Sequence, residues 1–161
     1  MNQALQCVNV PIFPNIKTRF FFTLSSKRLS FSPNDIVLEA EAPSSLIASC
    51  SHAAKAAEEA VRAIATGDSL RNMKLEFLRR LTARRQIKEV ESMIEKSKDD
   101  FCYAYVHSVR IETEVNPCHY GEHALELILG DAPELKALGV DGLLSAVALT
   151  AIGRWIEHRR F

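Results

Sequence analysis

The sequence predicts an α/β (α+β) fold, with one small sheet covered by helices, after a disordered amino-terminal segment. Two observations support this. Apolar residues recur at helical spacing in several segments, and in others they recur at every second position, as strands require. The two kinds of segment alternate along residues 43–161, and the predicted order is α-β-α-β-α-β-α. A layered domain with one sheet and one core is the natural result.

Residues 1–42 are predicted to be a disordered organelle transit peptide. Met1 to Asn34 contains no acidic residue, hydroxyl residues recur there, and Pro11 and Pro14 interrupt its apolar run. Its charges are Lys17, Arg19, Lys27 and Arg28. This composition is typical of import peptides. We expect a chloroplast location, with the mitochondrion as the alternative and cleavage between about Leu29 and Ser45. A disordered extension of a cytosolic protein is the other interpretation.

The first helix of the predicted domain, residues 43–161, should open at Pro43-Ser44-Ser45, where a hydroxyl can cap it, and stop at Gly67. Its apolar face is mostly alanine, so it must lie close against its neighbour. Alternation over Asn72 to Phe77 then predicts a short strand. Arg79 to Lys98 is predicted to be a second helix with a narrow apolar stripe.

The clearest strand is predicted over Phe101 to Val115, with a bend or break near His107-Ser108 because so long a strand is unusual. Asn116-Pro117 should turn the chain into a short helix over Cys118 to Leu129. The remaining elements are a brief strand, Glu134 to Leu138, and a last helix that packs apolar residues up to Trp155.

Charge and cysteine usage limit the classes of partner. The 20 basic and 20 acidic residues cancel, and without residues 1–42 the balance is 16 against 17. The domain therefore has no overall field that attracts nucleic acid, and any such binding must use a local patch. The four cysteines lack the CxxC spacing of a zinc site or a disulfide framework. We expect them to be free thiols in a reducing compartment.

Residues 109–158 resemble the stage V sporulation protein S family, a branch of the Alba-like nucleic-acid-binding fold. The strand Val109 to Val115, the turn Asn116-Pro117 and the helix start Ala124-Leu125 are similar to that family. The family's second strand and helix match a further set of residues: Glu134, Leu135, Ala137, Leu138, Gly139, Leu143, Ala146, Val147, Ala151, Ile152 and Arg154. The resemblance implies an Alba-like core that binds RNA or DNA, although the family's final hairpin arm is missing before Phe161.

One dense basic run indicates where nucleic acid would bind. It consists of Arg79, Arg80, Arg84, Arg85 and Lys88, and the chain end adds Arg154, Arg159 and Arg160. A row of cations on one side of a helix can meet successive phosphates. The alternative is a solvated helix face whose cations pair with Glu89, Glu91 and Glu95. For the last helix, basic residues near its end also complement the helix dipole.

A metal-site motif is also present, since His119-Tyr120-Gly121-Glu122-His123 spells H-x-x-E-H. Two histidines four apart on a helix share a face and can hold zinc, but no third ligand can be identified. We expect no metal and no other cofactor. No glycine-rich phosphate loop and no Ser-His-Asp arrangement can be assigned from the residue order.

Three functions are compatible with the sequence. The first is a non-enzymatic organellar protein with an Alba-like core that binds RNA or DNA. The second is a protein-interaction or assembly factor, acting with a protein partner or as a homodimer, whose alanine-rich helix docks that partner. The third is a metallo-hydrolase built on His119 and His123. If carboxylates interleave with the basic run in space, the interaction factor is favoured over nucleic-acid binding.

Overall fold

A computed structural model describes residues 4–5, 7–13, 19–66, 72–96, 100–121, 123–130 and 137–151. It confirms an α+β fold, in which helices pack on a four-stranded antiparallel sheet of order β2-β3-β5-β4. The strands are β1 (Ala4–Leu5), β2 (Cys7–Ile12), β3 (Phe20–Ser25), β4 (Val37–Pro43), β5 (Phe101–His107) and β6 (Cys118–His119). The helices are α1 (Cys50–Thr66), α2 (Met73–Leu81), α3 (Ile87–Lys96), α4 (Ala124–Leu129) and α5 (Gly139–Ala151). β1 and β6 form a separate antiparallel pair.

The amino-terminal segment is part of the fold, which corrects the prediction that residues 1–42 are disordered and that the domain begins at 43. Three of the four strands of the sheet, β2, β3 and β4, come from this segment. Phe22 and Leu24 of β3, an inner strand of the sheet, are fully buried. An acid-free composition does not prevent a segment from forming strands when its β-branched and aromatic residues are buried. Organelle import concerns targeting and stays a prediction.

The inner face of the sheet packs against the helices. Directly opposed residues share a face, so Ala104 lies with Leu24 and Ala40, and Val106 lies with Phe22. These residues form one buried cluster with the alanine face of α1. The members of that face are Ala53, Ala54, Ala56, Ala57 and Ala60. Alanine lets the helix approach closely, as predicted, but the chain's own sheet, α2 and α5 occupy this face. It is therefore not a partner-docking surface.

The helix α1 begins at Cys50 rather than at Ser44-Ser45, where the chain makes one turn of 3-10 helix, Ser44–Leu46. The capping side chain is Ser49, whose hydroxyl accepts a hydrogen bond from the His52 N–H at 3.0 Å. His52 is fully buried on this helix. Its Nδ1 accepts from the Ala48 N–H at 3.1 Å and its Nε2 donates to the Leu81 carbonyl at 2.8 Å. The ring therefore fixes the start of α1 to the end of α2.

Residues 72–96 are arranged differently from the prediction, and residues 97–98 of the expected helix lie outside the described residues. The expected strand over Asn72 to Phe77 is the start of α2, and the side chain of Asn72 caps it by accepting from the Leu75 N–H at 3.3 Å. The expected helix over Arg79 to Lys98 is divided by a turn, and Ala83 in that turn has a φ of 54°. The apolar residues of 73–81 fit the spacing of a helix as well as that of a strand. The capping side chain of Asn72 favours the helix.

The long strand ends at His107, as the predicted break near His107-Ser108 requires, and residues 108–115 form no strand. The helix expected over 118–129 is reduced to α4, because the first two of those residues form β6. The last helix is present as α5. It begins at Gly139 with a φ of 65°, a conformation that favours glycine. Of the strand expected over 134–138, residues 134–136 lie outside the described residues and 137–138 form a turn.

The four cysteines form two disulfides, which corrects the prediction of free thiols. Cys7 of β2 is bonded to Cys50 at the start of α1, with 5.6 Å between their Cα atoms. Cys102 of β5 is bonded to Cys118 of β6, with 6.0 Å between their Cα atoms. The absence of CxxC spacing did not exclude disulfides, because both bonds join elements that are separated in sequence and adjacent in the fold.

Within the described part of the chain, none of the helices has the length and apolar character needed to cross a bilayer.

Candidate functional site

The connection between β3 and β4 crosses the outer face of the sheet. Both strands are antiparallel to β5, which lies between them, so they are parallel to each other. The chain must therefore travel from one end of the sheet to the other before β4 begins. Residues 26–36, which we call the crossover, make this path without a helix. They cover the face opposite to α1.

Aromatic contacts hold the crossover against the sheet. The ring of Phe31 lies 5.1 Å from the ring of Tyr105 and 5.6 Å from that of His107, between centroids. The hydroxyl of Tyr105 accepts a hydrogen bond from the Leu29 N–H at 2.8 Å. Arg28 stacks over Tyr103, with its guanidinium carbon 5.2 Å from the ring centroid. The outer face is thus a second, smaller core that contains polar groups.

His107 is the buried polar centre of this outer core. Its Nδ1 is hydrogen bonded to the Val109 carbonyl, which can only accept, so this nitrogen carries a proton. Burial lowers the pKa of His107, against the raising effects of that carbonyl and of Asp35. In the neutral ring Nε2 accepts, and the Thr23 hydroxyl donates to it at 2.7 Å. Because Thr23 and His107 are both fully buried, this pair organises the face and does not meet solvent.

A second irregular segment, residues 108–117, runs beside the crossover, and we call it the return segment. It starts after β5, where the Ser108 N–H donates at 3.0 Å to the carbonyl of Ile36, the last residue of the crossover. It then reaches β2, where the side chain of Asn9 donates to the Ile111 carbonyl at 2.6 Å and accepts from its N–H at 2.9 Å. Asn9 has a φ of 55°, and its bulge aims this amide at the return segment.

The crossover and the return segment enclose a cavity of about 490 Å³. This volume lies within the range of pockets that bind small molecules. Its lining residues come from the two segments alone: Leu29, Ser30, Phe31, Ser32 and Asp35 from the crossover, and Val109, Arg110, Ile111, Glu112 and Thr113 from the return segment. No motif in the sequence indicates this cavity, because its two walls are about eighty residues apart.

The cavity combines an apolar rim with a few charges. Val109, in the lining, is 43% exposed, and Ile36, which follows the lining residue Asp35 in sequence, is 57% exposed. Two carboxylates, Asp35 and Glu112, and one cation, Arg110, are among the lining residues. The oxygen of Asp35 accepts from the Ser32 N–H at 3.2 Å, which holds the crossover turn. The site therefore offers apolar contact and directional polar groups, as peptide-binding grooves do.

The predicted basic run does not form a row of exposed cations. Arg80 is 3% exposed, and its guanidinium lies 3.1 Å from the Glu76 carboxylate and donates to the Thr150 carbonyl at 3.1 Å. Burial lowers the pKa of Arg80 from its usual value, and the charge of Glu76 opposes this effect. Arg79 is paired with Glu76 as well. Arg80 therefore links α2 to α5, and both paired cations have little surface for a phosphate.

The rest of the run is split between burial and exposure. Arg84 is 6% exposed, donates to the Thr82 carbonyl at 2.9 Å and lies 3.5 Å from Glu89. Arg85 and Lys88 are exposed. Arg154, Arg159 and Arg160 lie outside the described residues. Carboxylates thus interleave with the run in space, the arrangement that favours an interaction factor.

The H-x-x-E-H motif is not on one helix. His119 ends β6, His123 precedes α4, and Glu122 lies outside the described residues. His123 is exposed, and its Nδ1 lies 3.6 Å from the Glu126 carboxylate. Among the residues that the structure describes, no three His, Cys, Asp or Glu side chains are grouped so that they can hold a metal ion.

Comparison with known proteins returned no match, whether to a protein-family model, a curated protein or a solved structure. The resemblance to the stage V sporulation protein S family stays a proposal.

Proposed function

We propose that this protein is an interaction or assembly factor that holds a segment of a protein partner in the outer-face cavity. The observation that carries the proposal is the cavity of about 490 Å³, which has the exposed apolar side chain Val109 in its lining and the exposed Ile36 directly after the lining residue Asp35 in sequence. Apolar residues exposed beside a concave site are typical of surfaces that bind a partner. An apolar side chain of the partner would enter the cavity and cover this rim.

A photo-crosslinking residue at Val109 tests this proposal, with the same residue at Leu127 as the matched control. Leu127 of α4 is 50% exposed, comparable to the 43% of Val109, and is not among the cavity lining residues. We expect Val109 to capture one partner at one short segment. A synthetic peptide of that segment should bind the purified protein and bind Val109→Glu about tenfold more weakly, because burying a carboxylate there is unfavourable.

The Leu127→Glu variant should bind the same peptide with unchanged affinity. Identical crosslinks from Val109 and Leu127 would show that the capture is unspecific. A peptide whose affinity is the same for wild type and Val109→Glu would place the docking site elsewhere and remove the proposal.

Nucleic-acid binding is the second candidate, supported by the exposure of Arg85 and Lys88 beside the turn after α2. Its test is single-stranded RNA binding at low salt by the wild type and by Arg85→Glu, Lys88→Glu. Two phosphate contacts predict a shallow salt dependence, and the double variant should lose the binding. No wild-type binding at low salt would leave the interaction factor as the only proposal of the two.

A further inference from the structure

The two edges of the sheet differ in their ability to accept another strand. The β2 edge is interrupted by a register shift between Cys7 and Val10, and it contains Pro11, which has no N–H. The β4 edge is regular from Val37 to Pro43 and pairs with β5 at every position. Among the described residues, no strand pairs with the other side of β4.

The hydrogen-bond pattern shows which backbone groups of β4 point away from β5. The Ser108 N–H donates to the Ile36 carbonyl, and the Ser44 N–H donates to the Asp100 carbonyl, each at 3.0 Å. Residues 36 and 44 therefore point their backbone toward β5. In an antiparallel ladder this direction alternates, so the even residues between them bond to β5 as well. The backbone N–H and C=O groups of Glu39 and Glu41 consequently point away from the sheet, where an added strand would bond.

The side chains at this edge define the charge of the added strand. Glu39 and Glu41 are opposite Tyr105 and Tyr103 and lie on the outer face, while Ala40 lies between them on the inner face. Arg28 shows that the outer face accepts a guanidinium, since it lies over the Tyr103 ring and 3.6 Å from the Glu39 carboxylate. The side chain of Arg28 is 63% exposed, so this contact leaves room for a second cation.

A second copy of this chain is disfavoured as the strand that pairs with the edge of β4. Antiparallel pairing of two β4 edges about a two-fold axis gives the longest overlap when it is centred on Glu39, Ala40 or Glu41. Centring on Glu39 or on Glu41 places that glutamate opposite its own copy. Centring on Ala40 places Glu39 opposite Glu41. Like charges directly opposite each other destabilise a strand pair. The glutamates thus oppose self-pairing and favour a strand of opposite charge.

We propose that the free edge of β4 binds an extended segment of a partner protein that carries two basic residues separated by one small apolar residue. Main-chain hydrogen bonds to Glu39 and Glu41 would supply the affinity, as in other cases of strand addition. The two cations of the partner would face the two carboxylates, and the apolar residue between them would lie beside Ala40 on the inner face. This site is separate from the cavity and does not depend on it.

The test uses the full chain and a short extended peptide with two arginines flanking one valine. The matched control peptide has glutamates in place of the arginines. Binding is followed by the backbone amide signals in a two-dimensional NMR titration. We expect the arginine peptide to shift the amides of Glu39 and Glu41, and the glutamate peptide to leave them unchanged. Methylating the peptide nitrogens that face the edge should abolish binding, because strand addition needs those donors.

Three protein variants sharpen the test. Glu39→Gln, Glu41→Gln keeps the size of both side chains and should weaken the arginine peptide about tenfold. Glu126→Gln, on α4, removes an exposed carboxylate elsewhere and should have no effect. Val109→Glu, in the cavity, should also have no effect, which separates this proposal from the proposed function. Equal affinity for the two peptides, or shifts confined to the cavity residues, would overturn the β4 site.

Discussion

The two faces of the sheet are covered by different means. On the inner face, the alanines of α1 form one buried apolar cluster with Ala40, Ala104 and residues of α2. On the outer face there is no helix among the described residues, and the crossover is held by separate anchors. These are the Phe31 ring, the Tyr105 hydroxyl and the Arg28 stack.

This difference explains where the cavity lies. Small side chains on a regular helix fill the inner face to the density of a protein interior. Irregular segments have no repeating surface, so they meet the sheet at a few points and leave space between them. The packed inner face gives the sheet a rigid support, and the irregular segments on the outer face provide a surface for binding. Binding sites are commonly found on loops that a rigid scaffold positions.

The largest expected effect comes from removing residues 1–42, which deletes β2, β3 and most of β4. The inner helices then lose the sheet on which they pack, and the outer crossover is lost as well. We expect the shortened chain to show no cooperative unfolding transition in urea, because its whole stability of about 5–15 kcal/mol depends on this sheet. Circular dichroism during urea titration measures this against the full chain.

The import prediction implies the opposite result, a stable protein without its amino-terminal strands. If the protein isolated from the organelle begins between Leu29 and Ser45 and unfolds with the same midpoint as the full chain, the amino-terminal strands are dispensable. An intact Met1 on the isolated protein would contradict import and agree with the structural role of the strands.

The inner layer was more predictable than the outer one. The helical spacing of alanines over residues 53–64 predicts a helix that contacts its neighbour closely. The structure contains this helix as α1. The strands β2 and β3 were missed because composition was read as disorder, although Phe20 to Leu24 has strong strand propensity. Neighbouring residues do not specify that Ser25 and Val37 lie at opposite ends of the sheet, so neither the crossover nor the cavity was predictable.

The second effect concerns the Cys7–Cys50 disulfide, which joins the strand β2 to the inner helix α1. It closes a loop with a sequence separation of 43, and the chain-entropy relation gives about 4 kcal/mol for a loop of this length. Cys7→Ser, Cys50→Ser should lose this amount in urea unfolding. The matched variant Cys102→Ser, Cys118→Ser removes a bond that closes a loop with a sequence separation of 16. Its free energy of unfolding should fall by about 3 kcal/mol. Free thiols in the native, unreduced protein would contradict both bonds.

The basic run shows a limit of a different kind. Its members were correctly identified as a dense group, but sequence spacing cannot show that Glu76 lies within the same buried contact as Arg79 and Arg80. Ion pairs at helical spacing are visible in a sequence only when the helix bounds are known. The residues around Arg80 were assigned to a strand and a separate helix, so the pairing was hidden.

The third effect is the pH dependence contributed by His52 on the inner face. Burial lowers the pKa of His52 to about 4, against an ordinary value of 6.5, and the Leu81 carbonyl opposes this only in part. Above pH 6.5 the ring is neutral in both states. Between pH 6.5 and about 4 only the unfolded chain takes up the proton, so stability falls by about 3 kcal/mol as the pH is lowered.

The measurement is urea unfolding at several pH values for the wild type and for His52→Gln. The variant retains a hydrogen-bonding side chain that does not titrate, and we expect a shallower decline between pH 6.5 and 4. Equal slopes for the two proteins would mean that other groups carry the pH dependence.

The smallest effect tests a single anchor of the outer face, the hydroxyl of Tyr105. Tyr105→Phe keeps the ring that Phe31 contacts and removes only the acceptor of the Leu29 N–H. We expect a loss of about 1 kcal/mol, the usual net worth of one hydrogen bond. Because the crossover is attached by separate anchors, this loss should appear as faster amide exchange at Leu29 while the amide of Ala104 in the middle of β5 keeps its rate. Equal acceleration at Leu29 and Ala104 would show that the outer face unfolds only together with the inner one, and the two faces would then form one cooperative unit.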